Sequence, residues 1–155
     1  MKQLIFKNSE YRIFAVDDAD MMALARFVAE ENRKHHCKQI VMDMTEVESI
    51  YAEEKAYPNS YIYIAKDNAD KVVGTIRTFK WDKKTTLPIE KMFGVNPIRC
   101  INESTECNYW HVGRFAIDSF SGIHTLTLFK QLMFLAVRHI VSDTNSFIQQ
   151  NVKHK

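Results

Sequence analysis

Glycine and proline are scarce in this chain, four and three residues out of 155, which excludes collagen-like, proline-rich and low-complexity architectures. Cysteine is also sparse. Cys37, Cys100 and Cys107 are odd in number and contain no C-x-x-C spacing. They suit neither a secreted disulfide framework nor a structural zinc motif, and read as free thiols in a reducing cytoplasm. No apolar run approaches the roughly 18 residues needed to span a membrane. The opening segment Met1–Lys7 has too short an apolar run for a signal peptide and no small-residue cleavage site. An excess of one charge is missing as well: the net charge is +2, with Lys and Arg scattered among Asp and Glu. Nucleic-acid binding calls for a clustered basic face, so no nucleic-acid role is expected. The glycine patterns of a P-loop and of a Rossmann turn are absent, as is the nucleophile elbow of the hydrolases.

What is present is the composition of one globular domain, 1–155, with 46% hydrophobic and 26% charged residues. That length buries a core without disulfide or metal staples. Leu4–Phe6 and Tyr11–Val16 read as two short strands, or as one interrupted at Asn8-Ser9. Asp17 to Asp20 has the form of a helix start, and Met21, Leu24, Ala25 and Val28 then mark one buried helical face. Arg33, Lys34, His35 and His36 close that helix. Thr45 and Glu48 resemble a capping box opening an acidic helix through Glu54, ended by Pro58-Asn59. Tyr61–Ala65 and Val72–Trp81 form a hairpin about the polar turn Lys66–Lys71. Leu87–Gly94 is a short helical turn stopped by its glycine, and Asn96–Glu106 is irregular. Cys107–Ile117 is a strong strand, with Gly122 in the turn that follows. Thr125–Val141 reads as a well-buried helix that directs Leu126, Phe129, Leu132, Met133, Ala136, Val137 and Ile140 inward, leaving an arc around Lys130, Gln131 and Arg138 polar. Ser146–Val152 reads as a last short strand.

Few residues are placed to carry chemistry. His35-His36-Cys37 is a solvated helix end, because neighbouring helical residues diverge and no second cluster supplies the remaining ligands of a metal site. No metal is expected. More telling are two arginines on strands with apolar neighbours. Alternation in Val72–Trp81 puts Val73, Thr75, Arg77, Phe79 and Trp81 on one face, and His111-Val112-Gly113-Arg114-Phe115 poses the same arrangement for Arg114. Each guanidinium must find a partner, since an unpaired buried charge is prohibitive. Each is either a strand-end salt bridge or a clamp for a carboxylate or carbonyl.

The order of hairpin, irregular segment, strong strand, glycine turn and buried helix resembles the central part of the GNAT N-acyltransferase fold. Gly74-Thr75-Ile76-Arg77 followed by His111-Val112-Gly113-Arg114-Phe115 is similar to motifs of acyl-homoserine-lactone synthases and N-acyl amino acid synthases, which have a Gly-x-x-Arg hairpin strand and a later Glu-x-Ser-Arg-Phe strand. The resemblance runs from about Tyr11 to Val152. It implies an α/β (α+β) fold with a mixed, mostly antiparallel sheet, helices on both faces, and no C-terminal helix or closing strands. The implied activity moves an acyl group from a thioester, on coenzyme A or acyl carrier protein, to the amine of a small amino-acid-like acceptor. No covalent enzyme intermediate and no tightly bound cofactor are needed; the coenzyme A or phosphopantetheine thioester is a co-substrate. The alternative is a catalytically degenerate module of the same fold, kept for dimerisation or partner binding.

The resemblance also assigns roles. His111 stands where the subgroup has its strand glutamate, and an imidazole can replace that carboxylate as the base; its other reading is a strand histidine facing solvent or a backbone carbonyl. Arg114 and Arg77 organise acidic groups or bind the acceptor carboxylate. Strict alternation would put His111 and Arg114 on opposite faces, so one shared site needs a bulge, for which Gly113 is the expected place. Backbone amides of Phe115, Ala116 and Ile117 polarise the thioester carbonyl. Gly122, Ile123 and His124 present amides to phosphate at the start of the next helix, although the turn carries a single glycine of the family's usual pattern. Glu53 and Glu54 are weaker acidic candidates. The chain ends at Lys155, before the further helix and strand pair of the complete fold. The expectation is an open sheet edge that a second copy completes, a truncation, or a degenerate member.

Overall fold

The computed structural model describes residues 3–36, 44–57, 59–96 and 108–152. The three cysteines and the segment 97–107 lie outside the described residues. The chain builds a five-stranded meander in the order β1 (Gln3–Lys7), β2 (Tyr11–Ala15), β3 (Tyr61–Asp67), β4 (Val72–Lys80) and β5 (Trp110–Ile117). All four pairings among the described residues are antiparallel, in keeping with the expected mostly antiparallel sheet. Short polar side chains make the turns. Asn8 Oδ1 accepts from the amides of Glu10 and Tyr11 at 2.9 and 2.8 Å, which divides the first two strands. Asp67 Oδ1 does the same for Ala69 and Lys71, at 2.9 and 2.8 Å, in the central hairpin.

Helices cover both faces. On one face, α1 (Met21–His36) and α2 (Met44–Lys55) set Leu24, Phe27, Val28, Val47 and Ile50 against Ile62, Ile64 and Val72. On the other, α4 (Thr125–Val152) sets Leu128, Leu132, Leu135 and Ala136 against Tyr11, Ile13, Tyr63, Ala65, Val73 and Ile76. Each fully buried large apolar side chain contributes about 1.5–3 kcal/mol, so these two layers dominate the stability. The short α3 (Pro88–Phe93) ends at Gly94 in the left-handed conformation, beside a third cluster of Tyr57, Phe79, Trp81 and Leu87.

Three sequence expectations change. The register slips between Ala65 and Lys66, so Val73 packs under α4 while Arg77 keeps the opposite face. Ser146–Val152 is not a strand; α4 runs on to Val152, since the sequence there holds no glycine or proline to stop it. The inward face of α4 is also rotated: Leu128 and Leu135 are buried, whereas Leu126, Phe129 and Val137 are exposed. Close seating of this helix depends on Gly74. A Cβ there would stand 3.1 Å from Leu128 Cδ2 and 3.2 Å from Leu132 Cδ1.

Candidate active site

The site forms where α2 crosses the β4–β5 edge of the sheet. Val47, Ile50 and Glu54 recur at helical spacing on the buried face of α2, so a carboxylate takes a core position. A buried carboxylate demands positive partners. Arg77 Nη1 donates to Glu54 Oε2 at 2.8 Å, and Arg114 Nε donates to Glu54 Oε1 at 2.6 Å. Arg114 Nη2 also donates to Glu53 Oε2. The Arg77 guanidinium lies 5.0 Å from the Tyr57 ring centre and 5.4 Å from that of Phe79. Among the described residues its buried Nε has no hydrogen-bond partner.

Arg114 reaches Glu54 because β5 is bulged. Thr75 pairs with Ala116 and Arg77 with Gly113, so β5 carries one residue more than β4 across this interval. Arg114 absorbs the irregularity at φ 50°, a left-handed conformation that costs a side-chain-bearing residue about 1–2 kcal/mol. Its carboxylate partners hold it there. Gly113 contributes in a different way: a Cβ would come within 2.4 Å of His111 Cε1, because the imidazole folds over that position. The ring also stacks on Phe79, with centroids 4.8 Å apart.

His111 therefore sits between an aromatic ring and two guanidinium groups. Burial, then the charges of Arg77 and Arg114, push its pKa down to about 4, against a smaller opposing pull from Glu53. The imidazole is neutral at neutral pH. Its Nδ1 is buried with no partner among the described residues. His111, Arg114, Arg77 and Glu53 line a pocket of about 220 Å³, whose opposite wall is formed by Ile89, Met92 and Phe93 around α3. The residues expected at the catalytic centre are thus brought together.

A second cavity, of about 770 Å³, lies further along β5, lined by Phe115, Ala116 and Ile117, by Leu126 and Phe129 of α4, and by Glu31 and Asn32 of α1. Among the described residues β5 has one strand neighbour, β4, so its outer edge faces this space. The turn after β5 is anchored by Asp118, which is buried and accepts from Lys34 Nζ (3.2 Å), Lys71 Nζ (2.9 Å) and the Phe120 amide (3.1 Å). Although burial alone would raise its pKa, these hydrogen bonds together hold its carboxyl below the usual value. Gly122 follows at φ 76°, and α4 begins at Thr125. Gly122, Ile123 and His124 do not line the larger cavity; Ser119 and Thr125 on either side of them do. The Ile123 amide is directed at Ser121 Oγ, 3.5 Å away.

Reading the sequence missed the acidic and basic row at the root of this turn: Glu31, Lys34, Asp118 and Lys71. The signal was available, because Glu31 continues the Leu24, Phe27, Val28 spacing and so occupies a core position.

No sequence-family profile matches the chain, and no curated protein matches it by sequence. The fold does have relatives among solved structures. A crystal structure of a GNAT-family acetyltransferase from Staphylococcus aureus Mu50 superposes with a TM-score of 0.52 at 14% identity, covering 86% of this chain and 68% of that one. The architecture is therefore GNAT-like: a five-stranded antiparallel sheet between helices, with the bulged strand β5 leading into α4. No helix among the described residues is long and apolar enough to cross a membrane.

Proposed function

We propose that the protein is an N-acyltransferase that moves an acyl group from a thioester to the amine of a small acceptor carrying a carboxylate. The observation that carries this reading is the bulge at Gly113–Phe115, with a polar pocket and a largely apolar cavity in succession along β5, which has no second strand neighbour among the described residues. The solved relative named as an acetyltransferase adds support through the shared fold.

In this reading the thioester arm, from coenzyme A or acyl carrier protein, extends along Phe115–Ile117 in the larger cavity, and the acceptor enters the smaller pocket. The amine attacks the thioester carbonyl carbon, a C–N bond forms, and the C–S bond breaks to release the thiolate. Most of the acceleration comes from holding amine and carbonyl together and from fixed amide dipoles at the strand edge. An imidazole with a pKa near 4 is a weak base. It suffices late in the reaction, since the amine becomes strongly acidic only after bonding to carbonyl carbon. His111 takes that proton, directly or through water, and Glu53 lies in the same pocket as an acidic neighbour. Arg114 binds the acceptor carboxylate while Glu54 keeps it in place.

The test is incubation with acyl-CoAs and acyl-carrier-protein thioesters of varied length plus an amino-acid acceptor panel. Free-thiol release with a matching N-acyl product in mass spectrometry is the expected result. Absence of release from every donor would overturn the enzyme reading and leave the binding module in its place.

A further inference from the structure

The two acidic residues at the end of α2 are not equivalent. The Glu54 side chain is 0% exposed, holds both arginines and does not line the smaller pocket. That of Glu53 is 29% exposed and lines the pocket together with Arg77, His111 and Arg114. Glu53 Oε2 accepts from Arg114 Nη2, while its Oε1 lies 4.0 Å from Arg77 Nη2, beyond hydrogen-bonding distance. Arg114 is thus held twice, by Glu54 in the core and by Glu53 at the pocket wall. The inner contact fixes the side chain. The outer one occupies the nitrogen that an incoming carboxylate needs.

Two guanidinium groups and two carboxylates leave this cluster neutral. Lys91, also in the pocket wall, is exposed, so water and salt screen its charge. A plain anion that displaced Glu53 from Arg114 would leave a second carboxylate unpaired beside it in a partly buried site. A plain amine would meet a carboxylate that is already paired. A zwitterion avoids both costs. Its carboxylate replaces Glu53 on Arg114, its ammonium takes the released Glu53, and one ion pair becomes two at unchanged net charge. The two ligand charges must lie close together, because the groups that receive them start in contact; an α-amino acid separates them by one carbon. We propose that Glu53 is the displaceable counter-ion of Arg114 and selects zwitterionic α-amino acids over plain acids and amines, the Arg114–Glu53 pair opening to admit the acceptor. This deepens the acyl-transfer reading above and rests on it. No covalent bond changes in the exchange; the ammonium releases its proton to water before the attack already described.

Calorimetry without thioester compares L-leucine, whose side chain suits the wall of Ile89, Met92 and Phe93, with isocaproate, which lacks its ammonium, and isoamylamine, which lacks its carboxylate. Wild type should bind leucine at least about tenfold more tightly than either probe, the scale of one hydrogen bond between charged groups. Glu53→Gln removes the competing charge at constant length. Isocaproate should then bind about tenfold more tightly than it does to wild type, leucine should not gain, and the preference should vanish. A merely structural role of Glu53 would weaken all three alike. Should Glu53→Gln not fold, Glu53→Ala carries the same expectation. No gain for isocaproate in a folded variant overturns the exchange and leaves acyl transfer standing. Equal binding of leucine and isocaproate to wild type does the same. If isoamylamine binds wild type as tightly as leucine, or none of the three binds, the carboxylate-bearing acceptor of the proposed reaction fails together with the exchange.

Discussion

Arg77 and Arg114, on neighbouring strands, share one buried carboxylate: each donates to a different oxygen of Glu54, at 2.8 and 2.6 Å. The Glu54 side chain is 0% exposed and that of Arg77 1%. Glu54→Ala leaves the two guanidinium groups with only the partly exposed Glu53 as a shared counter-charge, 4.0 Å from Arg77, and should cost about 3 kcal/mol in urea unfolding. The surface pair Arg12–Asp70, at 2.8 Å with Asp70 72% exposed, is the control. Asp70→Ala should cost less than about 1 kcal/mol.

Gly113→Ala tests the fit of the imidazole. Its methyl group would stand 2.4 Å from His111 Cε1, so the ring must leave its stack on Phe79. Turnover should fall at least about tenfold, the effect of misplacing a catalytic group by an ångström or less. Thermal stability should fall only modestly. Unchanged turnover in a folded variant would separate His111 from the chemistry.

The depressed pKa of His111 sets a pH window. Between about pH 4 and 6.5 the unfolded chain binds a proton at this position that the folded chain refuses. Stability therefore decreases as pH falls through that window, and above it His111 contributes no slope. His139, lowered mainly by burial, acts in the same direction. Denaturant midpoints at pH 7 and pH 5 should differ less for His111→Phe than for wild type. Equal differences would contradict the buried neutral state.

Gly122 isolates backbone strain from packing. Its φ is 76°, yet a Cβ would meet nothing within 4 Å. Gly122→Val should thus be destabilised by about 1–2 kcal/mol through the backbone alone, and Gly122→Asn by less. Chemical denaturation of the two variants measures the difference.

Much of the fold was legible in the residues. The hairpin of β3 and β4, the buried stripe of α1 and the glycine stop of α3 follow from spacing and turn chemistry. The pairing of Arg77 and Arg114 with acidic residues followed from the need of a buried charge for a partner, and the bulge from the demand that His111 and Arg114 share one face. What could not be read depends on tertiary phase. α4 has apolar residues on more than one side: Leu128 and Leu132 are buried, while Leu126, Phe134 and Val141 are exposed. Periodicity alone does not say which stripe a sheet accepts. Val73 changed face because of a one-residue slip opposite Ala65 and Lys66, an event without a local sequence signature. The combining of Glu31, Lys34, Lys71 and Asp118 draws on three separate segments, which no single window displays.

Gly74 lies on β4, next to β5, the last strand of the sheet among the described residues, directly beneath Leu128 and Leu132. The absence of a side chain there fixes how low α4 rides over the sheet. Since α4 and β5 form facing walls of the larger cavity, the width of that cavity is governed from a position that never touches its contents. A methyl group at residue 74 would act as a shim, lifting Leu126 and Phe129 from the strand edge and widening the cavity. Residue 74 would thus be a dial for cavity width that could turn without altering one atom of the Arg77–Glu54–Arg114 cluster.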